Sequence, residues 1–151
     1  ITYGELAKEL GIAVGEKADV IKTRDTVLRI RARKGMLLNN QDHDCWSAGS
    51  FFTNPIISEE QADKLPVEAP RFVQENGSIK TSAAWLIEQS GFEKGFTYKG
   101  AHISRKHTLA ICNSGKASSN EIMELAQLIQ ESVLEKFAIK LQIEPKILKI
   151  S

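Results

Sequence analysis

The stretch SAGSFFTNPIIS, residues 47–58, runs two small residues and a serine into a phenylalanine pair, then an asparagine and a proline. It is short and apolar, with Pro55 inside it. Proline has no N–H to give to a sheet ladder, so SFFTNPIIS, residues 50–58, reads as a strand that cannot be central throughout. Helical patterns flank it on both sides. Upstream, Tyr3–Leu10 reads as a short helix ended by Gly11. Ile21–Lys34 can be read two ways: VLRIRARK alternates like a strand, whereas Thr23 and Asp25 are helix-start residues, and the helical reading is preferred. The polar run Gly35–Ser47 reads as a loop.

Downstream, SEEQADKLP is a short helix stopped by Pro66, and Arg71–Gln74 reads as a strand before an Asn76–Gly77 turn. Ser82 caps a helix over AAWLIEQSG that ends at Gly91, and HTLAICN is a buried strand by composition. Ser118 and Glu121 form a capping box. It opens a long helix whose apolar stripe includes Ile122, Leu125, Ala126, Ile129, Val133 and Phe137. In the closing IKLQIEPKILKIS, Ile139, Leu141 and Ile143 share one face of a strand, and Lys140, Gln142 and Glu144 the other. Interleaved elements without a βαβ rhythm predict an α+β fold, a mixed or antiparallel sheet packed against helices.

Composition bounds the function. A chain of 151 residues, 42% hydrophobic and 26% charged, can bury a single core without staples. Twenty basic against nineteen acidic residues leave a net charge of +1. No global field then recruits nucleic acid or an anionic membrane, and anion recognition must be local. No apolar run approaches the roughly 20 residues that span a bilayer, and nothing reads as a secretory signal; a cytoplasmic protein is expected. Cys45 lies in a polar loop and Cys112 in an apolar run, as a reduced pair would. There is no GxGxxG or Walker loop, so the chain carries no nucleotide-cofactor motif of its own.

Ser50 is the first chemical candidate. A hydrolase elbow needs a second glycine where Phe52 stands, which argues against acyl transfer. A hydroxyl against aromatic walls suits proton or hydrogen-bond donation in a dry site, although position alone also fits a turn serine capping a strand. Asp42, His43, Asp44 and Cys45 group like metal ligands, but sequence neighbours rarely converge on one ion and no partner ligands stand at the usual spacing, so no metal is expected.

SAGSFFTNP resembles the A-G-S-F-F-x-N-P signature of the UDP-N-acetylenolpyruvoylglucosamine reductase (MurB) family, flavoenzymes of peptidoglycan synthesis. TYGEL (2–6), RARKG (31–35), KTSAAWLIEQSGFEKG (80–95), HTLAICN (107–113) and LQIEP (141–145) are similar to family blocks in the same order, so the resemblance covers nearly the whole chain. It implies the C-terminal, substrate-binding part of such an enzyme, with 1–46 a linking helical segment and 47–151 the core domain. The flavin-binding part is expected to precede it. FAD and NADPH are then cofactors of the whole enzyme, with neither held tightly by this chain, which is expected to be inactive alone. Hydride reaches the enolpyruvyl group of UDP-N-acetylglucosamine enolpyruvate, a serine protonates the neighbouring carbon, and a glutamate and an arginine stabilise the enol-like intermediate. By motif the serine is Ser50 and the glutamate is Glu144, while the arginine has no counterpart here.

The substrate's diphosphate asks for local cations and donors. The resemblance implies Tyr3 and Lys34 for this polar end, Lys94 and His107 as further candidates, and Asn54 orienting substrate through its amide. Glu144 beside a developing enolate can help only if protonated, which burial would favour. The sequence departs from the family pattern in several places. Thr53 stands where many members have lysine, His107 where some have glutamine, Ile143 where a proline commonly precedes the glutamate, and the loop NNQDHDCWSAG is longer than in many relatives. A rival reading is a small anion- or nucleic-acid-binding module using Arg29, Arg31, Arg33 and Lys34. As a strand these would share one face; as a helix they scatter.

Overall fold

The computed structural model describes residues 1–148. Helix α1 (Gly4–Leu10) ends where Gly11 takes a left-handed φ of 71°, the conformation glycine adopts without cost. Helix α2 (Val20–Arg33) settles the ambiguous segment as helical. Its N-cap is Asp19, whose carboxylate accepts from the Lys22 N–H at 2.8 Å, rather than Thr23 or Asp25. The two helices pack as a hairpin, burying Ala7 and Leu10 on one and Thr26 and Ile30 on the other.

SAGSFFTNPIIS becomes two strands in different sheets, which corrects the reading of SFFTNPIIS as one strand. Strand β1 (Ser47–Ser50) is an edge of one sheet and β2 (Ile56–Ile57) an edge of another. Between them Pro55 gives only its carbonyl, accepting from the Thr81 N–H at 3.0 Å. Helix α3 (Glu59–Lys64) follows, opened by a Ser58–Gln61 capping box. Strands β3 (Arg71–Val73) and β4 (Ile79–Thr81), joined through the Asn76–Gly77 turn, complete the small antiparallel sheet in the order β2-β4-β3.

Helix α4 (Ala83–Gln89) is capped by Ser82 as the sequence predicts. Strands β5 (Thr97–Tyr98), β6 (Ala101–Ile103) and β7 (Ala110–Asn113) join β1 in an antiparallel sheet ordered β1-β7-β6-β5. The β5–β6 hairpin is not anticipated by periodicity. Its strands are too short for alternation to register, and its signal is the Lys99–Gly100 turn, where Lys99 takes φ 51°. HTLAICN is strand only from Ala110, because the Ala110 N–H returns to the His107 carbonyl and makes residues 107–110 a turn.

Helix α5 (Ser119–Phe137) carries the expected capping box and lays Leu125, Ala126, Ile129 and Val133 into the core. There they meet Phe52, Leu86, Ile87, Ile103 and Leu141, all essentially inaccessible. The closing segment keeps its alternation: Ile139 and Leu141 are buried, Ile143 is half-buried, and Lys140, Gln142 and Glu144 are exposed. Its pairing is shorter than the expected strand. A single bridge joins Phe52 to Ile143, flanked by Thr53 N–H to the Gln142 carbonyl and Glu144 N–H to the Phe51 carbonyl, both at 3.0 Å. Pro145 cannot extend the ladder; Lys149–Ser151 lie outside the described residues. No helix among the described residues is long and apolar enough to cross a membrane.

Candidate active site

Ser50 closes β1 opposite Ala110. The register shifts between Ser47 and Ser50, and Gly49 takes φ 83°, so the strand is kinked one residue before the hydroxyl. Such irregularities re-aim a side chain. Phe51 donates its N–H to the Leu109 carbonyl at 2.7 Å, and its own carbonyl accepts from Glu144. The backbones of residues 50–51, 109–110 and 144 therefore meet at one sheet edge, although they come from three distant parts of the chain. Beneath them Phe51 and Phe52 are buried, ring centroids 5.5 Å apart and edge to face. Ser50 is half-buried and Glu144 exposed. The shelter expected around this carboxyl is thus not supplied by the described residues.

A cationic group stands beside this edge. His107 is half-buried, and its Nδ1 accepts from the Leu109 N–H at 3.0 Å, which leaves Nε2 as the protonated nitrogen of the neutral ring. Burial first, then the charges of Lys34 and Lys94, hold its pKa below the ordinary histidine value. Three residues proposed separately for the polar end of a ligand thus lie within electrostatic reach of one another. Lys34 is ion-paired to Glu5, and Lys94 is exposed, with no ion pair among the described residues.

Two other candidates are placed differently. Asn54, exposed, spends its side-chain oxygen on the Ala83 N–H at 2.9 Å, tying the start of α4 to the segment after Ser50. Tyr3 is 77% exposed at the N-terminus of α1, beside a cleft of about 380 Å³ shared with Leu6, Val27, Ile30 and Arg31. Among the described contacts none joins Tyr3 to the Ser50 edge.

The basic segment does not form a free patch. On the helix Arg29 and Arg33 reach Glu9 at 3.4 and 3.0 Å, Arg33 also reaches Glu5 at 3.3 Å, and Arg31 donates to the Met36 carbonyl at 3.2 Å. These cations fasten α2 to α1 and to the following loop, against the rival reading of an anion- or nucleic-acid-binding strand. Among the described residues no group of three or more His, Cys, Asp or Glu side chains could hold a metal ion. Cys45 and Cys112 are free and buried. Burial, then the charge of Asp44, pushes the Cys112 thiol up to about 11.

Asp44, weighed from sequence only as one of a possible group of metal ligands, has a different place in the structure. It is 8% exposed, and its carboxylate accepts from the Arg105 N–H at 3.0 Å and meets His102 Nε2 at 3.2 Å. The one signal was a polar loop dense in acids and histidine, which gives no hint that a single carboxylate turns inward.

A model of the family described as UDP-N-acetylenolpyruvoylglucosamine reductase, C-terminal domain, matches residues 40–148. The chain belongs to this family. UDP-N-acetylenolpyruvoylglucosamine reductase of Cutibacterium acnes is 47% identical over 151 residues, covering 98% of this chain and 39% of that protein. The Streptomyces coelicolor reductase is 45% identical, covering 96% of this chain and 40% of its own length. Reductase 2 of Corynebacterium glutamicum is 44% identical, covering 100% and 44%. The chain thus spans about two-fifths of the length of the reductases it matches. In this C-terminal domain the matched region begins just before the turn that carries Asp44 and takes in the Ser50 edge, His107 and Glu144.

Proposed function

We propose that this chain is the substrate-binding region of an enzyme that reduces UDP-N-acetylglucosamine enolpyruvate to UDP-N-acetylmuramate with NADPH, a cytoplasmic step of peptidoglycan precursor synthesis. The observation that carries this reading is the Glu144 N–H bonded to the carbonyl of Phe51, the residue after Ser50, so that these distant segments share one edge beside the buried Phe51 and Phe52. The helical segment 1–46 is the arm that brings Lys34 to that edge, and 47–151 is the core domain. The remainder of the protein is the partner, holding FAD and covering the exposed side of Glu144. Reduced flavin there supplies the hydride.

The chain's own residues do the rest. Charge developing at the carboxylate end of the enolpyruvyl group needs an acid within about 3 Å, and Ser50 Oγ supplies the proton from the kinked end of β1. A serine is a weak acid in water, so the alkoxide it leaves must be stabilised by donors rather than by Phe51 and Phe52, which only exclude solvent. Glu144, once covered and protonated, donates to the enol-like oxygen. Lys34, Lys94 and His107 Nε2–H face the diphosphate, and the Asn54 amide NH2 orients the sugar end.

Two measurements test this. The intact protein should oxidise NADPH only when the enolpyruvyl nucleotide is present, and absence of that dependence contradicts the assignment. The 151-residue chain alone should emerge colourless from gel filtration and show no turnover; retained yellow flavin contradicts the division of labour.

A further inference from the structure

We propose that Asp44 is a positioning residue of this site, the single buried anchor against which Ser50, His107 and Lys34 are indexed; this deepens, and rests on, the reading above. Asp44 sits on the 3₁₀ turn His43–Cys45, whose Asp42 side chain accepts the Asp44 N–H at 3.1 Å. Its carboxylate oxygen takes the Arg105 N–H at 3.0 Å and, since a carboxylate only accepts, the Nε2–H of His102 at 3.2 Å. Its backbone carbonyl accepts from Ser104 Oγ and from Cys112 Sγ, each at 3.3 Å. Ser104 Oγ in turn accepts the Lys106 N–H at 3.1 Å, and Lys106 Nζ closes the group on Asp42.

Several of these contacts bear on segments that carry candidate residues. The loop 104–109 that Asp44 grips carries His107 and presents the Leu109 carbonyl to Phe51, next to Ser50. Cys112 lies opposite Ser47 at the other end of β1. From the third side Gly35, at φ 68°, abuts the same Asp44 carbonyl: a Cβ there would stand 2.8 Å from it. Lys34 is therefore located by its neighbour's contact with Asp44. Removing the carboxylate leaves the buried His102 ring and the Arg105 N–H without an acceptor, so the loop must shift to reach water. Displacements near 1 Å far from the chemistry can cost on the order of a hundredfold in rate or affinity.

The test uses the intact protein with Asp44→Ala and Asp44→Asn, alongside Lys34→Ala and His107→Ala. Asp44→Ala should raise the KM for the enolpyruvyl nucleotide about tenfold or more while flavin reduction by NADPH keeps its rate. Asp44→Asn keeps an oxygen for the Arg105 N–H and is the milder change; its KM should lie between those of the parent and the alanine variant. If both Asp44 variants lower the melting temperature but leave KM and kcat per folded molecule unchanged while Lys34→Ala and His107→Ala raise KM, Asp44 is structural only and the proposal falls. If Lys34→Ala and His107→Ala themselves leave KM unchanged, the cationic site fails on its own account, and the positioning of Lys34 and His107 by Asp44 falls with it.

Discussion

The α1–α2 hairpin and the sheet β1-β7-β6-β5 with its covering helices hold together by different physics. The hairpin is joined across its surface by Glu5 and Glu9 to Arg29, Arg33 and Lys34, and it leaves Val14, Val20 and Ile21 mostly exposed. The sheet layer rests on side chains removed from water, from Phe52 through Ile103 to Leu125 and Leu141. The proposed site draws one partner from each. Ser50 stands on the rigid layer and Lys34 on the charge-joined arm, so the proton donor is fixed while the ligand-facing cation depends on a weaker joint.

The largest expected effect lies in the rigid layer. Phe52→Ala should cost about 3–5 kcal/mol, by lost burial and the cavity left behind, and should loosen the bridge to Ile143 that sets Glu144 in place. Chemical denaturation of the chain measures this; a loss below about 1 kcal/mol would mean that Phe52 is not central to the core. Next comes the joint between the two regions. Gly35→Ala meets the Asp44 carbonyl at 2.8 Å in a left-handed backbone, so a loss of about 1–3 kcal/mol is expected, together with weaker nucleotide binding. A variant as stable as the parent would show that Gly35 is not held against Asp44.

A smaller effect belongs to the buried thiol. With its pKa raised to about 11, Cys112 stays neutral in the folded state where an unfolded thiol ionises. Its contribution is present at neutral pH and is lost as pH climbs from the ordinary thiol value, near 8.5, towards 11. Alkylation at pH 8 should therefore be slow until the protein unfolds; rapid labelling of Cys112 in the native chain would contradict its burial.

The smallest effect is expected in the hairpin. Hydrogen bonding from Lys34 holds the Glu5 carboxyl below its ordinary range, and Arg33 does the same for Glu9. A depressed carboxyl stabilises above its unfolded pKa, so this contribution is intact at pH 7 and fades as pH falls through the acid range. One molar salt should weaken it similarly. Hydrogen exchange in α1 should rise under both conditions while exchange in β6 and β7 does not; equal responses would erase the distinction between the regions.

Much of this was legible in the sequence because it was local. The caps at Ser82 and Ser118, the glycine end of α1 and the alternation around Leu141 are decided within a few residues. What was not legible was set by partners far away. SAGSFFTNPIIS divides between two sheets because β7 pairs with its first residues and β4 with its last. The inward turn of Asp44 depends on His102 and Arg105, which no spacing near residue 44 announces. The candidate residues Ser50, Glu144 and His107 came from resemblance, and their convergence on one edge comes from β7 and the closing segment. Tyr3, named with them, stands exposed at the start of α1, with no described contact to that edge.

Pre-steady-state kinetics of Ser50→Ala in the intact protein probes the proton-donor role most directly. Flavin reduction by NADPH should proceed at the parent rate, whereas reoxidation by UDP-N-acetylglucosamine enolpyruvate should slow by about a hundredfold or more, the usual worth of a positioned acid. Equal impairment of both half-reactions, or of neither, would contradict a Ser50 that delivers the proton.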